Sequence, residues 1–331
     1  KASCATRRMP QWSKSKTNTS KRCQLAWHLT PDLFGSSFQI QTAPPAIPAS
    51  APAPLPHSER FTALFARLCR IALLSLALPA ASAHSDEIQI PGPSGPLGAE
   101  LLAAENARDL VITIPGSGPI DRDGNAPNMG LASDVYKLLS EALYAKAVSS
   151  LRIDKRGFFS SAAAIDDPTD VTIAAYAEDV RNWIKWAAPQ AECVWLAGHS
   201  EGGLVSLAAA QEPIEGLCGV ILLAAPGRPI GTLMKEQFAN NPYNAPILED
   251  LNNIVTTLET GSEVPQMDIP GPVRTLFSPG VQRFMIDLFT YDPAQLAATW
   301  SGPTLILQGD ADVQVTPVDA ALLTANLPNA T

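Results

Sequence analysis

Histidine is the scarce residue in this chain. Its 331 residues hold four, His28, His57, His84 and His199, and none follows Ser200. Long apolar runs are missing too. Nothing approaches the roughly 20 residues that a bilayer span requires, which excludes a polytopic membrane protein. Charge is sparse at 17%, while hydrophobic residues reach 46%, a balance too apolar for a disordered chain. Basic residues are outnumbered 23 to 32, for a net charge of −9. An acidic chain without a dense Lys/Arg face repels phosphate, so no nucleic-acid partner is expected. No Cys/His cluster has metal-ligand spacing, so neither a metal nor another cofactor is expected.

What is present divides at residue 83. Residues 1–83 hold 10 of the 23 basic residues and only two acids, Asp32 and Glu59, for a sum of +8. Residues 84–331 hold the other 13 basic and 30 acidic residues, for a sum of −17. Residues 1–58 include the low-complexity run Ala43–Pro56, which cannot pack a core, and read as a non-native or disordered leader. In residues 59–83, Arg60, Arg67 and Arg70 precede the apolar run Ile71–Pro79, and Ala81-Ser-Ala83 follows. A positive start, a short apolar run and an A-x-A site make a secretory signal peptide, with cleavage expected between Ala83 and His84. The protein is therefore expected to be exported, periplasmic or secreted. Cys4, Cys23 and Cys69 fall in the leader, which leaves Cys193 and Cys218. These two open neighbouring strands and read either as a disulfide or as two buried thiols.

Residues 84–331 read as one α/β domain. Short apolar strands are expected at Ala99–Ala104, Leu110–Ile114, Ser149–Ile153, Cys193–Ala197, Gly219–Ala224 and Thr304–Gln308. Helical patterns fall at Asn128–Lys146, Val171–Ala188, Glu201–Glu212, Ile230–Asn240, within Pro246–Thr290, and at Pro317–Asn326. This alternation predicts a mostly parallel sheet with helices on both faces. Ligands in such sheets sit at the carboxyl ends of the strands.

The most specific motif is Gly198-His-Ser-Glu-Gly-Gly203, placed between a strand and a helix. G-x-S-x-G in that setting is a nucleophile elbow that lifts a serine hydroxyl above the sheet. The chain here resembles the α/β-hydrolase superfamily, and within it the secreted carboxylesterases and lysophospholipase-like or serine aminopeptidase-type hydrolases with a GHSEGG elbow. Three further stretches carry the likeness: Ile114–Asn125 after the second strand, Arg152–Gly157 after the third, and Leu305–Asp312 near the end. The resemblance implies an α/β-hydrolase fold and carboxylic ester hydrolysis through an acyl-enzyme on Ser200. A serine peptidase, thioesterase or acyltransferase of the same fold is the alternative. It implies that Pro115-Gly-Ser-Gly118 is the oxyanion loop. Ser117 and Glu201 would offer their backbone N–H groups, and Gly116 is the reserve donor. Asp121–Asn125 reads as a self-ordering loop, and Asp154 and Arg156 as structural ion-pair residues.

The resemblance also places the acid at Asp312, in Gly309-Asp-Ala-Asp312, with Asp310 as runner-up. Order of function then demands a histidine after the acid, and the chain supplies none. His199 precedes the nucleophile directly, so its side chain should diverge from the Ser200 hydroxyl. The C-terminal strand and histidine loop are thus expected to be missing, the chain to be a fragment, and these 331 residues to be inactive. A non-catalytic binding protein is the competing reading. Residues 229–298 fall where the family inserts a cap, here rich in Leu, Phe and Met. An apolar cap suits a small ester or acyl substrate and a water-excluding lid. Oligomeric state is not legible.

Overall fold

Strand β4 (Ser149–Ile153) is buried at every position, although its sequence is Ser-Ser-Leu-Arg-Ile. Its polar side chains survive burial because each is partnered. The hydroxyls of Ser150 and Ser140 meet, Ser149 Oγ accepts the Ala104 N–H at 3.0 Å, and Arg152 pairs with Glu100 and Asp123. The computed structural model describes residues 85–167 and 170–331. The basic leader, the export signal and its cleavage site, with His28, His57 and His84, lie outside the described residues.

Seven strands form one sheet in the order β1-β2-β4-β3-β5-β6-β7. β1 (Ser85–Pro91) and β2 (Pro96–Leu102) form an antiparallel hairpin on one edge, and β2 is also antiparallel to β4. β3 (Asp109–Ile114), β4, β5 (Cys193–His199), β6 (Leu217–Leu223) and β7 (Thr304–Leu307) run parallel. Parallel strands need crossovers that cover the sheet faces. Those crossovers include α1 (Val135–Tyr144), α2 (Ile173–Ala187) and α3 (Glu201–Ala209). On α2 the buried residues Ile173, Tyr176, Ala177, Val180, Trp183, Ile184 and Ala187 recur at helical spacing and form one stripe. Thr172 caps it by accepting the Ala175 N–H at 3.0 Å.

Helix α3 is buried almost throughout, and it packs close. A Cβ on Gly202 would lie 2.4 Å from the Ile114 carbonyl oxygen, and one on Gly203 would lie 2.4 Å from Ala225 Cβ. The two glycines therefore set the distance between this helix and the ends of the neighbouring strands.

Between β6 and β7 the chain makes α4 (Ile230–Asn240), α5 (Leu248–Glu259), α6 (Pro279–Leu288) and α7 (Pro293–Thr299). Most of the apolar residues that the sequence suggests for a substrate lid have another partner. Met234, Phe238, Leu251, Ile254, Phe277 and Met285 belong to a core internal to this insertion. After α8 (Pro317–Asn326) the chain returns beside β7. Ala330 bridges Thr304 in parallel, and the Ile306 N–H reaches the Thr331 carbonyl at 3.0 Å. Residues 329–331 therefore pair in parallel with the edge of β7. Cys193 and Cys218 are joined as a disulfide across β5 and β6, with Cα atoms 5.4 Å apart. Among the described residues no helix is long and apolar enough to cross a membrane.

Candidate active site

Three loops leave the carboxyl ends of adjacent strands β4, β3 and β5, and they meet. Ile114 pairs with Gly198 in register, so the loop from Pro115 and the turn at Ser200 start side by side. Ser200 sits between β5 and α3 with φ 51° and ψ −121°, a conformation that L-residues rarely adopt. The tight reversal has no room for neighbouring side chains. A Cβ on Gly198 would stand 2.1 Å from the Gly202 carbonyl oxygen. A Cβ on Gly116 would stand 3.4 Å from Ser200 Cβ, which puts the Pro115–Gly118 loop against the serine.

The donors expected from the sequence divide here. The N–H groups of Ser117 and Glu201 have no acceptor among the described residues. Glu201 is the first residue of α3, where helix geometry leaves the N–H unsatisfied and the dipole favours negative charge. The Gly116 N–H, the reserve donor, is engaged: it donates to the Tyr136 hydroxyl at 3.3 Å.

His199 is buried and turned away into the fold. Its Nδ1 lies 3.1 Å from the Tyr136 hydroxyl and 3.0 Å from where a Gly116 Cβ would stand. Burial lowers its pKa to about 3, so the ring is neutral near neutral pH. Gly116 N–H to Tyr136 oxygen, then Tyr136 O–H to Nδ1, is the donor order that fits a neutral ring. His199 is the sole histidine among the described residues. In this arrangement it supports the Gly116 loop.

Asp312 is half-buried beyond β7. Its Oδ1 accepts the N–H groups of Gln314 (2.9 Å) and Val315 (3.1 Å), and its Oδ2 meets Gln308 Nε2 at 3.3 Å. Asp310 is exposed in the same turn. His199, Leu223 and Leu307 stand in one register row across β5, β6 and β7. The serine and Asp312 therefore leave strands two apart, roughly 10 Å at ordinary interstrand spacing, and the two do not meet directly. Asp154 accepts from the Arg122 N–H (3.0 Å) and the Ser160 hydroxyl (2.6 Å). Burial raises its pKa against those bonds. Arg156 grips Asp179 through two bonds of 2.8 and 2.6 Å. Asp121 Oδ1 accepts the N–H groups of Asp123 and Asn125 and orders its own loop. No group of three or more His, Cys, Asp or Glu among the described residues is arranged to hold a metal ion.

Lys155 and Tyr136 also belong to this arrangement, although no motif marks them. Lys155 is buried and its ammonium contacts Glu201 and Gly116. A signal existed in the sequence: a lysine two residues beyond a buried strand, with a glutamate directly after the nucleophile. Tyr136 lies on α1 and left no such trace.

No family model matches the chain. Esterase EstD of Thermotoga maritima is 28% identical over 240 residues, covering 70% of this chain and 51% of that protein. The chain thus spans about half the length of this curated relative. Among solved structures, the Pyrococcus furiosus esterase Pf2001 superposes with a TM-score of 0.51 at 14% identity, over 75% of this chain and 80% of that one. Proline iminopeptidase of Mycobacterium smegmatis gives 0.50 at 17%, over 74% and 88%. These likenesses concern the fold. Together with the strand order and the elbow, they make this an α/β-hydrolase fold.

Proposed function

We propose that the protein is a serine hydrolase that cleaves carboxylic esters. Ser200 attacks the ester carbonyl, and the N–H groups of Ser117 and Glu201 receive the developing oxyanion. The alcohol leaves, and water releases the acid from the acyl-enzyme. Asp312 would orient and charge-stabilise an imidazole placed between itself and Ser200, in the gap over β6. The observation that carries the reading is the backbone of Ser200, strained at the end of β5 with the Gly116 loop against it. Strain at a residue so placed has a use when its hydroxyl must be presented above the sheet.

Ester over peptide rests on the relatives' names alone: EstD and Pf2001 are called esterases, whereas the iminopeptidase shares the fold at a similar level. Fold by itself does not select among ester, thioester and peptide chemistry. An exported location is part of the proposal. The signal-like segment Arg60–Ala83 supports it, and so does the disulfide, since such bonds persist in oxidising compartments.

The test is acylation. Incubation with p-nitrophenyl acetate should place an acetyl group on the peptide containing Ser200, read by mass spectrometry, and Ser200→Ala should carry none. An unmodified Ser200 peptide after prolonged incubation with imidazole supplied as an external base would overturn the reading. Reading the coding DNA past codon 331 separates an enzyme from a binding protein with the same elbow. A histidine codon in a G-x-x-H or N-H setting favours the enzyme.

A further inference from the structure

Lys155 and Glu201 form an ion pair at 3.0 Å with side chains only 3% and 2% exposed. The same ammonium donates to the Gly116 carbonyl at 2.6 Å and lies 5.2 Å from the Tyr176 ring centroid. Glu201 Oε2 is buried with no partner among the described residues. Such a pair is expensive, because desolvating two charges offsets most of their attraction. Apolar residues of equal volume are often as stable or more so. Stability alone therefore does not account for it, and its geometry does.

The Gly116–Ser117 peptide is trans, as are all peptides among the described residues. A trans peptide points its C=O and N–H in opposite directions. Holding the Gly116 carbonyl on Lys155 therefore aims the Ser117 N–H away from Lys155. The preceding peptide is held as well, by the Gly116 N–H on Tyr136. Glu201, the other partner of the ammonium, carries the second free N–H. One buried cation thus ties together the two residues whose peptides present the oxyanion donors.

We propose that Lys155 is a positioning residue for the oxyanion hole, fixing the Ser117 N–H relative to that of Glu201 through its simultaneous bonds to the Gly116 carbonyl and the Glu201 carboxylate. It touches no substrate. The proposal rests on the serine-hydrolase reading above.

The test is an equilibrium measurement that needs no catalytic base. Phenylboronic acid forms a bond from boron to Ser200 Oγ, releases the serine proton to buffer, and becomes a tetrahedral anion with an oxygen in the hole. Boron NMR of the 331-residue chain reports this adduct and its dissociation constant. Lys155→Met alone leaves a buried unpaired carboxylate and is expected to lower the melting temperature, so the deciding variant is K155M/E201L. Expected for it are a melting temperature at or above the parent's and a boronate dissociation constant raised roughly a hundredfold, the scale lost when a positioned group is misplaced by about 1 Å. A merely structural pair would leave the boronate affinity of the folded double variant unchanged, and that result overturns the proposal while leaving the hydrolase reading intact. If the parent forms no tetrahedral adduct, or Ser200→Ala forms it equally well, the hydrolase reading fails and this inference falls with it.

Discussion

Ser200 holds a backbone conformation, φ 51° and ψ −121°, that glycine tolerates and alanine does not. Ser200→Ala removes the hydroxyl and keeps the strain, while Ser200→Gly removes both. Relief of about 1–3 kcal/mol of strain, less up to about 1 kcal/mol for the extra freedom of unfolded glycine, predicts that the glycine variant outlasts the alanine variant by about 1 kcal/mol. Denaturant midpoints of the two proteins measure the difference. His199 offers a second test at this scale. Its folded pKa of about 3 is depressed from 6.5 by burial, so the folded state refuses a proton that the unfolded chain accepts. Its contribution to stability is complete above pH 6.5 and falls as pH drops from there toward 3, with a slope of up to about 1.4 kcal/mol per unit. Burial raises Asp123, Asp154, Asp179 and Asp287, and those groups act with the opposite sign. Comparing the parent with His199→Gln at matched pH isolates the imidazole. The variant's unfolding free energy should fall less between pH 6.5 and 4, and equal slopes would show that His199 protonates while folded.

Elements are where stability is concentrated, and the tightest contact is between α3 and the end of β3. Gly202→Ala drives a Cβ to 2.4 Å from the Ile114 oxygen and 2.7 Å from the Pro115 oxygen, both of them backbone atoms. Overpacking of that kind costs about 1–3 kcal/mol, read as a lowered denaturant midpoint, and it pushes the Pro115–Gly118 loop away from the helix. The disulfide behaves differently. It closes a span of 25 residues, for which loop entropy predicts about 3.5 kcal/mol. Cys193→Ser with Cys218→Ser should lose that amount, and reductant should shift the parent's midpoint but not the variant's. Cys193 opens β5 and Ser200 follows its other end, so Ser200 acylation should be unchanged. Elements with strong local signals were legible: Ile230–Asn240 and Pro317–Asn326 match their expected bounds, and the central strands match within two residues. β1 was missed because its only branched apolar residues are Ile88 and Ile90 on an otherwise polar edge strand. Helix α1 begins at Val135 and not at Asn128, because Pro127–Met129 takes a 3₁₀ turn and Asp134 has φ 50°. The seven residues of α7 offer no apolar stripe, although Asp292 before Pro293 is a cap signal, and the Asp292 carboxylate accepts the Ala294 N–H.

At the scale of the molecule, the candidate site is assembled from distant parts of the chain. The candidate donors Ser117 and Glu201, the candidate nucleophile Ser200 and the candidate acid Asp312 follow the ends of β3, β5 and β7. The insertion is tied to this framework at separate points: Asp287 on the Ile173 N–H (2.7 Å), Gln237 on the Gln314 carbonyl (3.1 Å), and Arg228 between Asp319 and Glu236. Motifs of local sequence, such as the elbow and the G-D-A-D turn, were legible because neighbours in sequence make them. Lys155 was not, because its role exists only once β4, β3 and β5 lie side by side and bring residues 116 and 201 to one ammonium. Acylation needs a base to take the Ser200 proton, and deacylation needs one to activate water. The only imidazole among the described residues, that of His199, is held by the Tyr136 hydroxyl at 3.1 Å beside the Gly116 loop, so it is not placed to take the Ser200 proton. The chain should therefore acetylate slowly and once, with steady-state release of p-nitrophenol indistinguishable from that of Ser200→Ala. His199→Gln should leave that background where it is. Turnover near the enzyme median of about 10 per second would mean that a base reaches Ser200 from within these residues. The pH profile of that turnover would then identify it: an inflection near 3 would point to His199, and one near 6.5 to an imidazole outside the described residues.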